Sequence, residues 1–286
     1  MSGFFLFLNA MKIILIIVII LIIFLLTVGI IDSNRFAVRE YTVKSDKLKK
    51  DHDFLFLSDQ HLKEYGRKNE KLLKALDTLD YEGIFIAGDM ITANKTDFEP
   101  ALKLVKKLSE ESPVFYSYGN HESKAKKHNA SFAEYERELL NAGIKIYDNE
   151  KITFEDFDIY ALTIGLKYYA RFKKIGLPAD YMESCIGKCD KERFSVLLAH
   201  NPDYFESYSE WGADLTLSGH IHGGIIRLPF IGGLLSPKVT FFPKYDGGEF
   251  NKNTNKMLVN RGLGSHFVFL RLFNPAEVLI IHLRKE

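Results

Sequence analysis

Five short apolar runs end in residue types that bind metal ions, and this pattern limits the fold more than any other feature of the chain. Residues 54–57 precede Asp59 and His61, and residues 84–87 precede Gly88 and Asp89. Residues 114–118 lead into Gly119-Asn120-His121-Glu122, residues 196–199 into His200, and residues 215–218 into Gly219-His220-Ile221-His222-Gly223-Gly224. Runs of this length, β-branched and aromatic, read as strands buried on both faces. Loops beyond the carboxyl ends of such strands converge side chains on one crevice. Five of the nine histidines fall at these ends beside two aspartates and one asparagine, which outlines a dinuclear metal site.

The amino-terminal stretch is of another kind. Residues 13–31 are 19 consecutive uncharged, almost wholly aliphatic positions, enough to cross a bilayer as a helix. The run is too long for the apolar region of a cleaved signal peptide, and Thr27-Val28-Gly29 is a poor cleavage site. The expectation is a single-pass membrane anchor over residues 1–31, a charged connector over 32–50 and one α/β domain over 51–286. Lys12 is the charged residue before the span, whereas Arg35, Arg39, Lys44, Lys47, Lys49 and Lys50 follow it. Taken alone that bias keeps the domain in the cytoplasm. A signal-anchor would place it outside, and the sequence accommodates both.

Composition removes two classes. A net charge of +1 gives no basis for a nucleic-acid partner. Two cysteines, Cys185 and Cys189, cannot build a disulfide scaffold. Their spacing would put both on one helix face as plain thiols, with a local disulfide as the alternative.

Past Asp53, strands and helices alternate. Residues 69–79 place Leu72, Leu73, Leu76 and Leu79 on one helical face, and residues 98–108 do the same with Leu102, Val105 and Leu108. Residues 131–140 read as a third helix, stopped by Asn141-Ala142-Gly143. Strand-like runs follow at 144–147, 151–154, 157–163, 257–260, 267–270 and 278–282. Two packed mixed sheets with helices outside accommodate this order. Residues 166–190 and the apolar, Gly- and Pro-punctuated residues 225–250 break the rhythm, as lids or binding loops do. A surface excursion and an irregular sheet edge explain them equally well.

In an extended chain, residues two apart point to the same side. Asp59 and His61 can therefore reach one ion together, and His220 and His222 can do likewise on the facing loop. Asp89 is suited to bridge two cations, Asn120 offers a carbonyl oxygen and His200 an imidazole. Mixed imidazole and carboxylate ligation without thiolate suits Mn, Fe, Zn, Co or Ni. His52, His128, His266 and His282 lie outside the pattern and read as ordinary structural or surface residues.

The series Asp-x-His, Gly-Asp, Gly-Asn-His-Glu, His and Gly-His-x-His, between Asp53 and Gly224, resembles the calcineurin-like metallophosphoesterase superfamily. The resemblance implies a four-layer αββα sandwich of two mixed β-sheets and a two-metal centre that hydrolyses phosphate esters or anhydrides. By position, Asp59, His61, Asp89 and His222 would hold one divalent ion. Asp89, Asn120, His200 and His220 would hold the other, with Asp89 and a hydroxide bridging. Two cations about 3.5–4 Å apart lower the pKa of a shared water and neutralise charge on phosphate oxygens. His121 would protonate the leaving oxygen or stabilise the transition state. Protein phosphatases of the superfamily carry Gly-Asp-x-x-Asp-Arg-Gly, whereas this chain has Gly88-Asp89-Met90-Ile91-Thr92-Ala93-Asn94. The missing Asp and Arg argue against a protein serine/threonine phosphatase and leave the partner of His121 open.

Residues 198–203, Leu217 to Gly224 and Asn260-Arg261-Gly262-Leu263-Gly264 are similar to the bacterial membrane-associated phosphodiesterase branch, which includes enzymes cleaving the pyrophosphate of nucleotide-activated lipid sugars. Gly223 and Gly224 would let the backbone pass close to the metals. Arg227 and Arg261 are either phosphate contacts or solvated surface arginines. The expected function is an anchored phosphodiesterase or pyrophosphohydrolase acting on a lipid-linked substrate at the membrane. A phosphoesterase for small soluble esters or nucleotides is the alternative, and a non-catalytic tethered module the third reading.

Overall fold

The computed structural model describes residues 2–170, 175–224, 226–228, 230–236, 240–265 and 271–286. Its first element is helix α1 (Ser2–Ser33), followed after two residues by strand β1 (Phe36–Ser45). Strands β2 (His52–Leu57), β3 (Gly83–Ile86), β4 (Val114–Ser117) and β5 (Ile146–Tyr147) alternate with helices α2 (Glu70–Leu76), α3 (Glu99–Ser109), α4 (Asn120–His128) and α5 (Ser131–Asn141). Then come β6 (Glu150–Phe154), β7 (Phe157–Leu162), α6 (Tyr181–Ile186), β8 (Phe194–Ala199), α7 (Phe205–Trp211) and β9 (Leu215–Ser218). The chain closes with β10 (Arg227–Leu228), β11 (Gly232–Gly233), β12 (Gly248–Lys252), β13 (Asn255–Val259) and β14 (Ala276–Lys285).

Two six-stranded sheets result, ordered β1-β14-β2-β3-β4-β5 and β12-β13-β9-β8-β7-β6. Both are mixed: β2, β3, β4 and β5 run parallel while β14 is antiparallel to β2, and β7, β8, β9 and β13 run parallel between antiparallel edges β6 and β12. Alternate side chains explain why the strands read as unbroken apolar runs. Phe54, Phe56, Phe85 and Phe115 point inward and meet Phe157, Ile159, Val196, Leu198 and Leu217 of the facing sheet. Leu55, Leu57, Ile84 and Ile86 point outward and pack with Leu72, Leu104 and Tyr135 of α2, α3 and α5. On the second sheet's outer face Tyr160, Leu162 and Leu197 pack with Met182, Ile186 and Tyr208 of α6 and α7. With both faces covered there is no polar alternation to see. The architecture is the four-layer αββα sandwich.

α1 is long and apolar enough to cross a membrane, and Phe4 to Ile31 carries a nearly unbroken series of exposed large apolar side chains.

Two expectations need correction. The charged connector over 32–50 contains β1, which pairs in parallel with all of β14 as an edge strand. Its Arg39, Glu40 and Lys44 are exposed, whereas Val43 is buried and Tyr41 half-buried. Cys185 and Cys189 do not share a helix face, because α6 ends at Ile186 with Gly187 at φ 74°; both thiols are free. Residues 267–270, read as a strand, fall outside the described residues, as do His266 and Arg171, Lys173 and Lys174.

His52 lies at the far ends of the sheets from the strand-end loops. Its ring is buried, with Nδ1 bonded to Glu82 and Nε2 2.7 Å from Asp156 Oδ1, which ties β2 to the β6–β7 turn.

Candidate metal centre

The crevice forms where β2, β3, β4, β8 and β9 end, and the backbone there is unusual. Asp59, His61, Asp89, His220 and His222 all take left-handed conformations, with φ between 48° and 71°. Each such non-glycine residue costs about 1–2 kcal/mol. Left-handed backbone at five residues with metal-binding side chains in one crevice is what a functional loop cluster shows. The glycines beside them serve close approach. A Cβ on Gly119 would lie 2.2 Å from Asp89 Oδ1, and one on Gly219 would lie 2.1 Å from Asp59 Oδ2. Gly223 and Gly224, expected to skirt the site, instead pack against Asn274 and Gly233.

Three groups of side chains converge, each with its potential ligand atoms within 4.8 Å of one another: Asp59, His61 and His222; His61, Asp89 and His121; Asp89, His200 and His220. The Nε2 atoms of His61 and His222 lie 3.2 Å apart, and His222 Nε2 lies 3.4 Å from Asp59 Oδ1. Bonds of about 2.0–2.1 Å put the ligands of a four-coordinate ion about 3.3 Å apart, so these edges suit a shared cation. His200 Nε2 sits 3.0 Å from Asp89 Oδ2. Asn120 Oδ1 is buried at the start of α4 and finds no hydrogen-bond partner among the described residues, as a ligand oxygen awaiting an ion would. The donor set fits divalent metals: the three groups bring together Asp59, His61, Asp89, His121, His200, His220 and His222, and Asn120 precedes His121 at the start of α4.

The rings are aimed from behind. His200 Nδ1 donates to the Ala87 carbonyl at 2.6 Å, and His222 Nδ1 to that of Gly264 at 3.2 Å, which turns each Nε2 toward the carboxylates. Asp59 accepts the His220 N–H at 3.0 Å, and Asp89 Oδ1 the His121 N–H at 2.7 Å. Burial pushes Asp59 up to about 6. Burial also raises Asp89, but the imidazoles of His200, His121 and His61 outweigh it and hold this carboxyl well below the ordinary range. Desolvation disfavours the His200 imidazolium, yet Asp89 and Asp59 more than offset it and push the ring up to about 9.

His121 has a partner that the motif did not disclose. Its Nδ1 accepts the backbone N–H of Ala93 at 2.9 Å. Thr92, standing where protein phosphatases carry Asp, faces His61 Nδ1 at 3.4 Å instead.

Two further residues shape the site. Glu122 is fully buried and accepts the N–H groups of Asp89 and Met90 at 2.8 Å, that of Gly119 at 3.1 Å and the Tyr116 hydroxyl at 2.8 Å. Burial and the Asp89 carboxylate push it up to about 7. The motif contained Glu122, but nothing in its spacing revealed this clamp. The Tyr169 ring lies 5.0 Å from that of His220, and no sequence signal marks it. Arg227 and Arg261 face Asp246 at 2.9 Å and Glu277 at 3.5 Å.

Comparison with known proteins agrees with this geometry. The chain is 26% identical over 262 residues to an uncharacterized metallophosphoesterase, YkuE, of Bacillus subtilis, covering 89% of this chain and 87% of the relative. It is 26% identical over 204 residues to the phosphodiesterase YaeI of Escherichia coli, covering 70% and 69%. Over 149 residues it is 34% identical to the UDP-2,3-diacylglucosamine pyrophosphatase LpxG of Chlamydia muridarum, covering half of this chain and 42% of that one. The model of the calcineurin-like phosphoesterases matches residues 52–224, which span every strand end of the crevice, and the chain therefore belongs to that family of metal-dependent hydrolases.

Proposed function

We propose that this chain is a membrane-anchored phosphoesterase that hydrolyses a phosphodiester or pyrophosphate carried by an amphiphilic substrate. Asp59, His61, Asp89 and His222 hold one divalent cation, and Asp89, Asn120, His200 and His220 a second. The observation that carries this reading is the convergence of these side chains on one crevice, five of the seven on left-handed backbone, with the His61 and His222 Nε2 atoms 3.2 Å apart. The chemistry such ions supply when bound is Lewis acidity toward the phosphate oxygens and the attacking water.

The chain's own residues do the rest. Asp59 and Asp89 present carboxylate oxygens fixed by the His220 and His121 N–H groups. Because the Ala93 N–H points at His121 Nδ1, that nitrogen offers a lone pair and the proton sits on Nε2, a tautomer assigned from this hydrogen bond. An imidazole so held suits hydrogen-bond donation to charge developing on the phosphoryl or leaving oxygen. Transition-state stabilisation is the role of His121 that this favours. His121→Ala should lower kcat on bis-p-nitrophenyl phosphate about 10²–10³-fold, as loss of one such donor does. Its metal content should match the wild type, and an unchanged kcat would remove His121 from the mechanism.

The substrate reading rests on position. A cavity of about 390 Å³ lies between the end of α1 and His61, lined by Ser33, Asn34, Leu62, Lys63 and Ser265 among others. That volume accommodates a small headgroup. Among the described residues outside α1, large apolar side chains are exposed at few positions, and Phe230, Ile231, Phe241 and Phe242 fall in one excursion. This excursion leaves the His222 loop directly, and Leu234 and Leu235 within it are half-buried. A bilayer surface is the environment that covers such side chains. The name of the LpxG relative supports a lipid-linked pyrophosphate, that of YaeI a phosphodiester. The complete set of ligand residue types counts against the non-catalytic module.

The test compares full-length protein on a lipid-linked pyrophosphate in vesicles and on soluble bis-p-nitrophenyl phosphate. Serine at Phe230, Ile231, Phe241 and Phe242 should lower kcat/KM on the vesicle substrate at least about tenfold, since each large apolar side chain contributes about 1.5–3 kcal/mol when buried. The soluble ester should be hydrolysed as before. Equal losses on both would reassign the excursion to folding, and preference for the soluble ester would favour the second reading.

A further inference from the structure

The last turn of α1 breaks two rules at once. Asp32 is 1% exposed although the helix before it is largely bare. It also places a carboxylate at the negative end of the helix, where the macrodipole disfavours it by about 0.3–1 kcal/mol. A residue that violates a local preference in a buried position serves something outside its own element.

What Asp32 and Ser33 serve is visible in their bonds. Asp32 Oδ2 accepts the backbone N–H of Asn274 at 3.1 Å, and Ser33 Oγ accepts that of Arg271 at 2.8 Å. Both partners turn their side chains toward the metal-site loop. Asn274 Nδ2 donates to the carbonyl of His222 at 2.7 Å and to that of Gly224 at 2.6 Å. The buried Arg271 guanidinium donates to the carbonyls of Arg261 at 2.8 Å, Gly262 at 3.1 Å and Gly264. The Gly264 carbonyl in turn accepts the hydrogen bond from His222 Nδ1. The backbone and the ring of His222 are therefore both fixed by two residues that α1 fixes.

We propose that Asp32 and Ser33 are positioning residues of the metal centre, so that the end of the apolar helix sets the orientation of His222. The proposal rests on His222 being a ligand. It goes beyond that reading in giving α1 a part in the site as well as in location. A lost partner behind a metal ligand costs about 10–100-fold in metal affinity.

The experiment is a Mn²⁺ titration of metal-free, full-length protein in nanodiscs, followed by the electron paramagnetic resonance of free Mn²⁺. The doubly substituted Asp32→Ala, Ser33→Ala protein should bind one of its two ions at least about tenfold more weakly and the other as in the wild type. Asp32→Asn keeps an oxygen for the Asn274 N–H and should restore most of the affinity. Arg35→Ala, which removes a partly exposed ion-pair partner of Asp32, should bind both ions normally. Wild-type affinity at both sites in the double variant would overturn the proposal, as would equal weakening of both or equal weakening by Arg35→Ala. A wild-type protein that binds no Mn²⁺ would overturn the metal centre itself, a result separate from any variant difference.

Discussion

Asp89→Asn is expected to lower metal-dependent kcat/KM on bis-p-nitrophenyl phosphate at least about 10³-fold, or about 4 kcal/mol of transition-state stabilisation at 1.36 kcal/mol per decade. The substitution is nearly isosteric. An asparagine Oδ1 can still accept the His121 N–H that Asp89 takes at 2.7 Å, and the backbone bond to Glu122 is untouched. What is lost is the negative oxygen that His200 Nε2 faces at 3.0 Å and His61 Nε2 at 3.8 Å. Asp89 belongs to both proposed ion sites, so bound metal should fall from two equivalents to at most one. Metal analysis of dialysed protein, with circular dichroism as a check on folding, distinguishes the cause. Full activity with two bound ions would remove Asp89 from the centre.

Glu122→Ala should have the largest effect on stability, about 4 kcal/mol, with activity falling alongside. The glutamate gathers the N–H groups of Asp89, Met90 and Gly119 and the hydroxyl of Tyr116 at 2.8–3.1 Å, all in a buried pocket. Each stranded buried donor costs about 1–3 kcal/mol, and the costs are not additive once water enters the space. The turn thus released carries Asp89, so the metal site should loosen with the fold. Glu122→Gln keeps one carbonyl oxygen but turns an NH₂ group toward N–H donors, and should lie between. Urea unfolding of metal-free protein measures the first effect and Mn²⁺ titration the second. A stability within 1 kcal/mol of the wild type would mean that another acceptor serves this turn.

The five strands and most of the site were legible because two constraints coincide there. A strand buried on both faces must be apolar at every position, so residues 54–57 and 196–199 stand out from any charged background. Ligands must follow such strands directly, which is why Asp59, Asp89, Asn120 and His200 were readable by place. β1 was not legible as a strand, because an edge strand has one wet side and charge there looks like a linker. α4 was missed for a different reason. Its residues Asn120, His121 and Glu122 are buried polar groups whose burial depends on the crevice, and its hydrophilic sequence has no helical apolar stripe. The bond from Ala93 to His121 and those from Arg271 and Asn274 join positions far apart in sequence, and their energy depends on geometry that no spacing encodes.

Two residues, Asn34 and Arg35, separate α1 from β1. Fully extended they reach about 7 Å. With α1 in a bilayer, so short a leash holds the crevice at one height above the headgroups and leaves the enzyme rotation about the membrane normal and drift in its plane. For the proposed lipid-linked substrate, encounter would then become a search in two dimensions. Turnover would follow the mole fraction of substrate in the membrane, and diluting the vesicles in buffer at constant lipid composition would leave it unchanged.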